Sequence, residues 1–141
     1  MNISLVPHGN IAQLIPALWP YLAESEAWTR GRATVDDILR FVFTGQMHLW
    51  AVHDEGSIMG HIVTEIKEYP RCKMLVIQYC AMEPGTLEKV DDQMQTLAHD
   101  VAVKAGCAGI EFVGRPGWRS VAKKHGYAVQ SVVYQKFLKG A

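Results

Sequence analysis

Two kinds of side chain in this 141-residue sequence could act on a ligand directly: six histidines and three cysteines, which could hold metal or act as nucleophiles, and one cluster of arginines around a tryptophan. The histidines have no HxxxH, HExxH or mixed Cys/His spacing, so no zinc site is expected. His48 and His61 are expected to share one face of a strand pair with Trp50, as half-buried hydrogen-bonding groups and not as ligands. Cys72, Cys80 and Cys107 lie far apart without a CxxC pair, which suits a reducing compartment and thiols used as small apolar side chains. The segment Gly114-Arg115-Pro116-Gly117-Trp118-Arg119 is the most unusual. Arg115, Trp118 and Arg119 could clamp an anion or a base, or form a protein-binding hot spot. Equally, they could be a tight turn, an indole lid on the core and two exposed guanidinium groups. With Lys123 and Lys124 they form a short basic stripe.

The wider composition limits what this stripe can mean. Fourteen basic residues balance fourteen acidic ones, so no overall field draws in nucleic acid or a membrane surface. No apolar run reaches the roughly 20 residues of a membrane helix. The opening MNISLVPHGN lacks the basic and apolar regions of a secretory signal, so a cytoplasmic location is expected. Hydrophobic residues make up 49% and charged residues 20%, an ordinary balance for one domain over residues 1–141.

The elements that must position these groups can be read in order. Residues 3–6 predict a short strand. Ile11, Leu14, Ile15, Leu18, Trp19 and Leu22 follow on one helical face, which Pro16 and Pro20 are expected to kink or break. Thr34 with Asp37 three residues on predicts a capped helix start, with Ile38, Leu39, Val42 and Phe43 as its apolar stripe and Gly45 as its stop. Strands at 47–53 and 58–67 flank a hairpin turn at 54–57, and a nearly continuous apolar strand spans 73–82. A long helix at 86–105, a strand at 109–113, a short helix from Pro116 and one or two closing strands at 127–138 complete the order. An α/β (layered α+β) fold follows, with a mixed central sheet of six to seven strands and helices on both faces. Its antiparallel meander leads into a parallel strand–helix–strand step.

Pro84 after an apolar strand, the long helix ending at Gly106, and the close Lys124-His125-Gly126-Tyr127 with Tyr134, Lys136 and Leu138 together resemble the GNAT acyltransferases. The resemblance covers nearly the whole chain and implies the GNAT fold. It also implies where acetyl-CoA chemistry would sit. The family's Q/R-x-x-G-x-G/A signature lets bare backbone approach the CoA pyrophosphate at a helix N-terminus. The matching positions here are Leu87, Val90 and Asp92, with Glu83, Glu88 and Asp91 nearby, so the signature is missing. The family's Asn and Tyr positions hold Arg115 and Ala122. Under the resemblance, Tyr79 or His125 would have to act as general acid and Glu65 as general base. Gln78 and Tyr79 are expected on opposite strand faces, so only one could enter a cleft.

Three functions are expected from these features. One is a GNAT-fold protein that has lost CoA binding and works by binding or assembly. The Gly-Arg-x-Gly-Trp segment resembles small proteins of tailed phages and prophages, which would imply a virion or host-cytoplasm role. The alternative is a divergent N-acyltransferase holding acetyl-CoA beside Met82, with the N–H groups of Gly85 and Thr86, and taking an amine from the side of residues 28–32. Trp28, Arg30 and Arg32 would line that side, though Thr29-Arg30-Gly31-Arg32 reads equally as a flexible loop. The third, nucleic-acid binding through Arg115, Trp118, Arg119, Lys123 and Lys124, is opposed by the zero net charge. Pairing of two copies through an edge strand near the C-terminus stays open.

Overall fold

The computed structural model describes residues 1–138. Five strands form one sheet in the order β1-β2-β3-β4-β5: β1 Asn2–Leu5, β2 His48–Asp54, β3 Ser57–Glu68, β4 Lys73–Met82 and β5 Gly109–Phe112. The first three pairings are antiparallel and β4–β5 is parallel. The β2–β3 turn is Glu55-Gly56 with φ of 47° and 83°, the left-handed pair that a two-residue type I′ hairpin requires.

Helix α1 (Ile11–Trp28) and helix α2 (Val35–Phe43) cover one face of the sheet. Leu18, Leu22, Ile38 and Val42 pack there against Leu49, Ala51 and Val63. Helix α3 (Leu87–Lys104) covers the other face, with Val90 and Met94 against Ile3, Val52, Ile62 and Ile77. A short 3₁₀ turn, Pro116–Trp118, leads into α4 (Arg119–Lys124). The start of α2 follows its sequence signature. The Thr34 hydroxyl accepts from the Asp37 N–H, and the Asp37 carboxylate accepts from the Thr34 N–H.

Three expectations require correction. Pro16 and Pro20 do not break α1, which runs unbroken for 18 residues because Leu18 and Leu22, wholly buried, hold it on the sheet. The sheet has five strands among the described residues, not six or seven, because residues 127–138 form no strand. Their β-branched and aromatic composition favours a strand, but β5 offers only four residues and its outer edge has no strand partner among the described residues.

The third correction concerns register. A regular two-residue hairpin would place Trp50 opposite His61. Met59 is an extra residue in β3, so Val52 pairs with Gly60 and Ala51 with His61. His61 therefore faces α1, while Trp50 faces α3 and donates from its indole N–H to the Thr64 hydroxyl at 3.0 Å. The two do not share a face. Gly60, just past the bulge, is required by close approach: an added Cβ would stand 2.5 Å from the Ala81 carbonyl oxygen.

Candidate functional site

The parallel step opens a cleft. β5 pairs with β4 only over Met74–Ile77, yet β4 continues to Met82. Over Gln78–Met82, the side of β4 away from β3 has no neighbouring strand among the described residues. A cleft of about 130 Å³ results, walled by the end of β4, the turn Glu83–Gly85, the first turn of α3, and Arg115 with Trp118. The sequence-predicted residues Met82, Gly85, Arg115 and Trp118 thus meet in one place.

Three contacts fix the wall after β5. The Arg115 guanidinium lies 4.2 Å from the centre of the Trp28 ring, and its Nη1 is 3.8 Å from Glu24 Oε1. Both partners belong to α1, so Arg115 ties the loop after β5 to that helix. Trp118 meets the Phe112 ring edge-on with centroids 5.7 Å apart. Of the three residues singled out here, Arg119 is the exposed one. Burial pushes the Cys80 thiol up to about 12, with Arg115 opposing and Glu24 adding, so no thiolate forms at neutral pH.

The turn into α3 corrects a further expectation. The Thr86 N–H donates to the Glu83 carbonyl at 3.0 Å, and Gly85 has φ of +82°. Pro84 and Gly85 therefore sit at the middle of a closed turn, and Thr86 itself is buried. Its N–H is not offered to a ligand. Glu88 occupies the first turn of α3 and lines the cleft beside Glu83. Val90, in a signature position, is wholly buried in the core. A pyrophosphate placed here would face two carboxylates and a spent donor. These residues do not fit the phosphate end of CoA.

His125 is bound elsewhere. Its Nε2 lies 3.2 Å from Oδ2 of the buried Asp91 and 3.4 Å from Oδ1 of Asp92. The Lys124 ammonium lies 3.1 and 3.4 Å from the same two carboxylates. The bond from Lys124 is the first cause that holds the Asp91 carboxyl below its ordinary range. Asp91, Asp92 and His125 lie close enough to hold a metal ion, but Lys124 already supplies the positive charge. This cluster staples α4 to α3. Lys124 is thereby removed from the basic stripe expected with Arg115 and Arg119.

A second bulge reshapes the other face. Thr64 pairs with Ile77 and Val63 with Tyr79, which leaves Gln78 as the extra residue of β4. Ile77 and Cys80, three apart, both pack toward α3. Gln78 and Tyr79 both turn to the α1/α2 side: the Gln78 amide donates to Glu65 Oε2 at 3.0 Å, and Tyr79 packs among the residues under α1 and α2. They do not lie on opposite faces, as strict alternation would demand. Burial, then the Glu65 and Asp37 charges, raise the Tyr79 phenol above its ordinary value of 10.0. Glu65 is half-buried and bonded, not freely solvated. Glu65 and Tyr79 are thus brought to one side of the sheet, and His125 is on the other.

Sequence reasoning missed a buried pair under α1. His61 is wholly buried, with Nε2 2.8 Å from the Ser25 hydroxyl oxygen and Nδ1 without a hydrogen-bond partner. Burial pushes the imidazole down to about 4, with the nearby Tyr21 backbone opposing. Ala51 and Ala81 flank it across both neighbouring strands and make room for the ring. That small–His–small row is the only trace the pair leaves in the sequence, and it emerges only once the register is known.

No protein-family model matches the chain, and no curated protein matches it. Solved structures do. An aminoglycoside acetyltransferase from an uncultured soil metagenomic sample, in complex with sisomicin, superposes with a TM-score of 0.72 at 11% identity, covering 97% of this chain and 95% of its own. A ribosomal-protein-alanine N-acetyltransferase from Brucella melitensis gives 0.69 at 11%, covering 98% and 100%. A predicted acetyltransferase with acetyl-CoA from Clostridium acetobutylicum gives 0.69 at 12%, covering 96% and 95%. The fold is the GNAT acetyltransferase fold.

Proposed function

We propose that this GNAT-fold chain works by binding or assembly and not by acetyl transfer from CoA. The observation that carries this reading is the closed turn at the start of α3, where the Thr86 N–H is spent on the Glu83 carbonyl. Glu83 and Glu88 beside the same cleft support it, since they repel the phosphates that a GNAT cradle attracts. The surface used would be the cleft wall formed by Arg115 and Trp118, with the exposed Arg119 next to Trp118 in the chain and the Trp28 ring stacked beneath Arg115. A protein segment or a small ligand fits such an aromatic and guanidinium surface. Nucleic acid fits it less well, because Lys124 is neutralised by Asp91 and Asp92. The likeness of the Gly-Arg-x-Gly-Trp segment to phage-encoded proteins directs the partner search to virion and host proteins.

One specific observation favours a second reading, a divergent N-acyltransferase acting on an amine. The free edge of β4 over Gln78–Met82 is retained, and Glu65 and Tyr79 stand together on the α1/α2 side. Calorimetric titration of the purified chain with acetyl-CoA separates the two, with Gly85→Val alongside. The proposed function predicts no binding up to millimolar ligand. Micromolar binding that Gly85→Val abolishes would overturn it and call for an amine-substrate screen.

A further inference from the structure

The second half of α1 is set off from the first by its own sequence. Pro20 has no N–H, so the Pro16 carbonyl one turn earlier lacks its intrahelical partner, and the helix is weakest there. Beyond that point, residues 21–28 reach two walls of the cleft. The Tyr21 hydroxyl donates to Glu83 Oε2 at 3.1 Å, in the turn after β4. Glu24 and the Trp28 ring hold Arg115, in the loop after β5. One short segment thus braces the cleft from both sides.

Ser25, in the same segment, covers His61. Its hydroxyl oxygen lies 2.8 Å from His61 Nε2, both residues are buried, and Nδ1 has no partner. A neutral ring suits this site, with one hydrogen bond and no charge. A protonated ring carries a charge and an N–H on each nitrogen, and Ser25 meets only one of them. The groups around it are already engaged. On α1, Tyr21 is bonded to Glu83 and Glu24 is paired with Arg115. On α2, Asp37 is bonded to Thr34 and Arg40. On β3 itself, Glu65 accepts from Gln78. β2 sets Ala51 beside the ring, and β4 sets Ala81 there, with the Tyr79 phenol two residues back. Burial and the Tyr21 backbone alone move the titration of His61, and no charge contributes.

A buried cation without a counter-charge is relieved by water, and water reaches this ring only if its cover moves. β3 is held along both edges by β2 and β4, so the part free to move is the α1 segment beyond Pro20.

We propose that His61 is a proton-operated latch on the cleft: its protonation swings residues 21–28 away from β3 about Pro20 and withdraws their holds on Glu83 and Arg115. The latch rests on the reading of the cleft as the working surface, but its movement is measured on the cleft itself, without a ligand. Cys80 lines the cleft with its thiol pushed up to about 12, and the exposed Cys72 serves as a reference in the same molecule. Labelling with dithiodipyridine, which reacts with protonated thiols, followed by peptide mass spectrometry gives the Cys80-to-Cys72 ratio. With an exposed ring titrating at 6.5 and the buried one at about 4, the open form gains roughly fifty-fold between pH 7 and pH 4.5. The ratio should rise toward that factor while the far-UV helix signal is kept.

In His61→Gln the ratio should stay flat. Pro20→Ala, at an exposed position, restores the missing N–H and should blunt the rise. A flat wild-type ratio overturns the latch. So does a rise that His61→Gln shares, or one that Pro20→Ala leaves unchanged. A rise that comes only with loss of the helix signal also overturns it, because that is unfolding and not opening. None of these outcomes bears on the proposed function, which the acetyl-CoA titration at neutral pH reads separately.

Discussion

Lowering the pH should destabilise the fold through one residue, His61. Unfolded, its imidazole titrates at its ordinary value of 6.5, while in the fold burial holds it down to about 4. The folded state therefore binds fewer protons than the unfolded state between these values. Stability is complete above pH 6.5 and is lost as pH falls toward 4. The loss is about 1.4 kcal/mol for each unit, or about 3 kcal/mol across the window. This is a large share of the 5–15 kcal/mol that holds a typical domain together, so the effect is measurable. Urea unfolding at pH steps from 7 to 4.5 would read it. The carboxylates of Asp37 and Asp91 are held below 3.8 in the fold, so their stabilisation fails mainly at still lower pH, with the same sign. His61→Gln keeps an amide to meet Ser25 but cannot titrate, so its pH slope in this window should flatten. Equal slopes in the two proteins, or a flat wild type, would refute the assignment to His61.

Three further outcomes follow from particular contacts. Gly60→Ala should cost roughly 2–3 kcal/mol in chemical unfolding, because, besides the Met82 side chain, its Cβ meets the Ala81 carbonyl oxygen and Met82 Cα, backbone atoms that cannot turn aside. Thr34→Ala should cost about 1 kcal/mol by the same measurement, because it removes the acceptor for the Asp37 N–H. Asp91→Ala should free α4 from α3 by releasing both Lys124 and His125, and limited proteolysis should then cut faster between residues 113 and 126.

The sequence by itself determined the features that rest on neighbours in the chain. The Thr34–Asp37 capping box, the left-handed Glu55-Gly56 turn and the amphipathic stripes of α2 and α3 are local physics and stand in the fold, except that Phe43, expected in the α2 stripe, lies exposed. The missing phosphate signature was legible for the same reason, since it lies within a few residues at the start of α3. What the tertiary structure alone decided depends on counting across strands. A bulge sets two residues against one on a neighbouring strand, and nothing local marks which residue will be extra. Met59 moved His61 under α1 beside Ser25, and Gln78 turned Tyr79 to the same side as Glu65. The fate of residues 127–138 was equally hidden. Their composition favours a strand, but a strand forms only against a partner edge, and composition does not supply one.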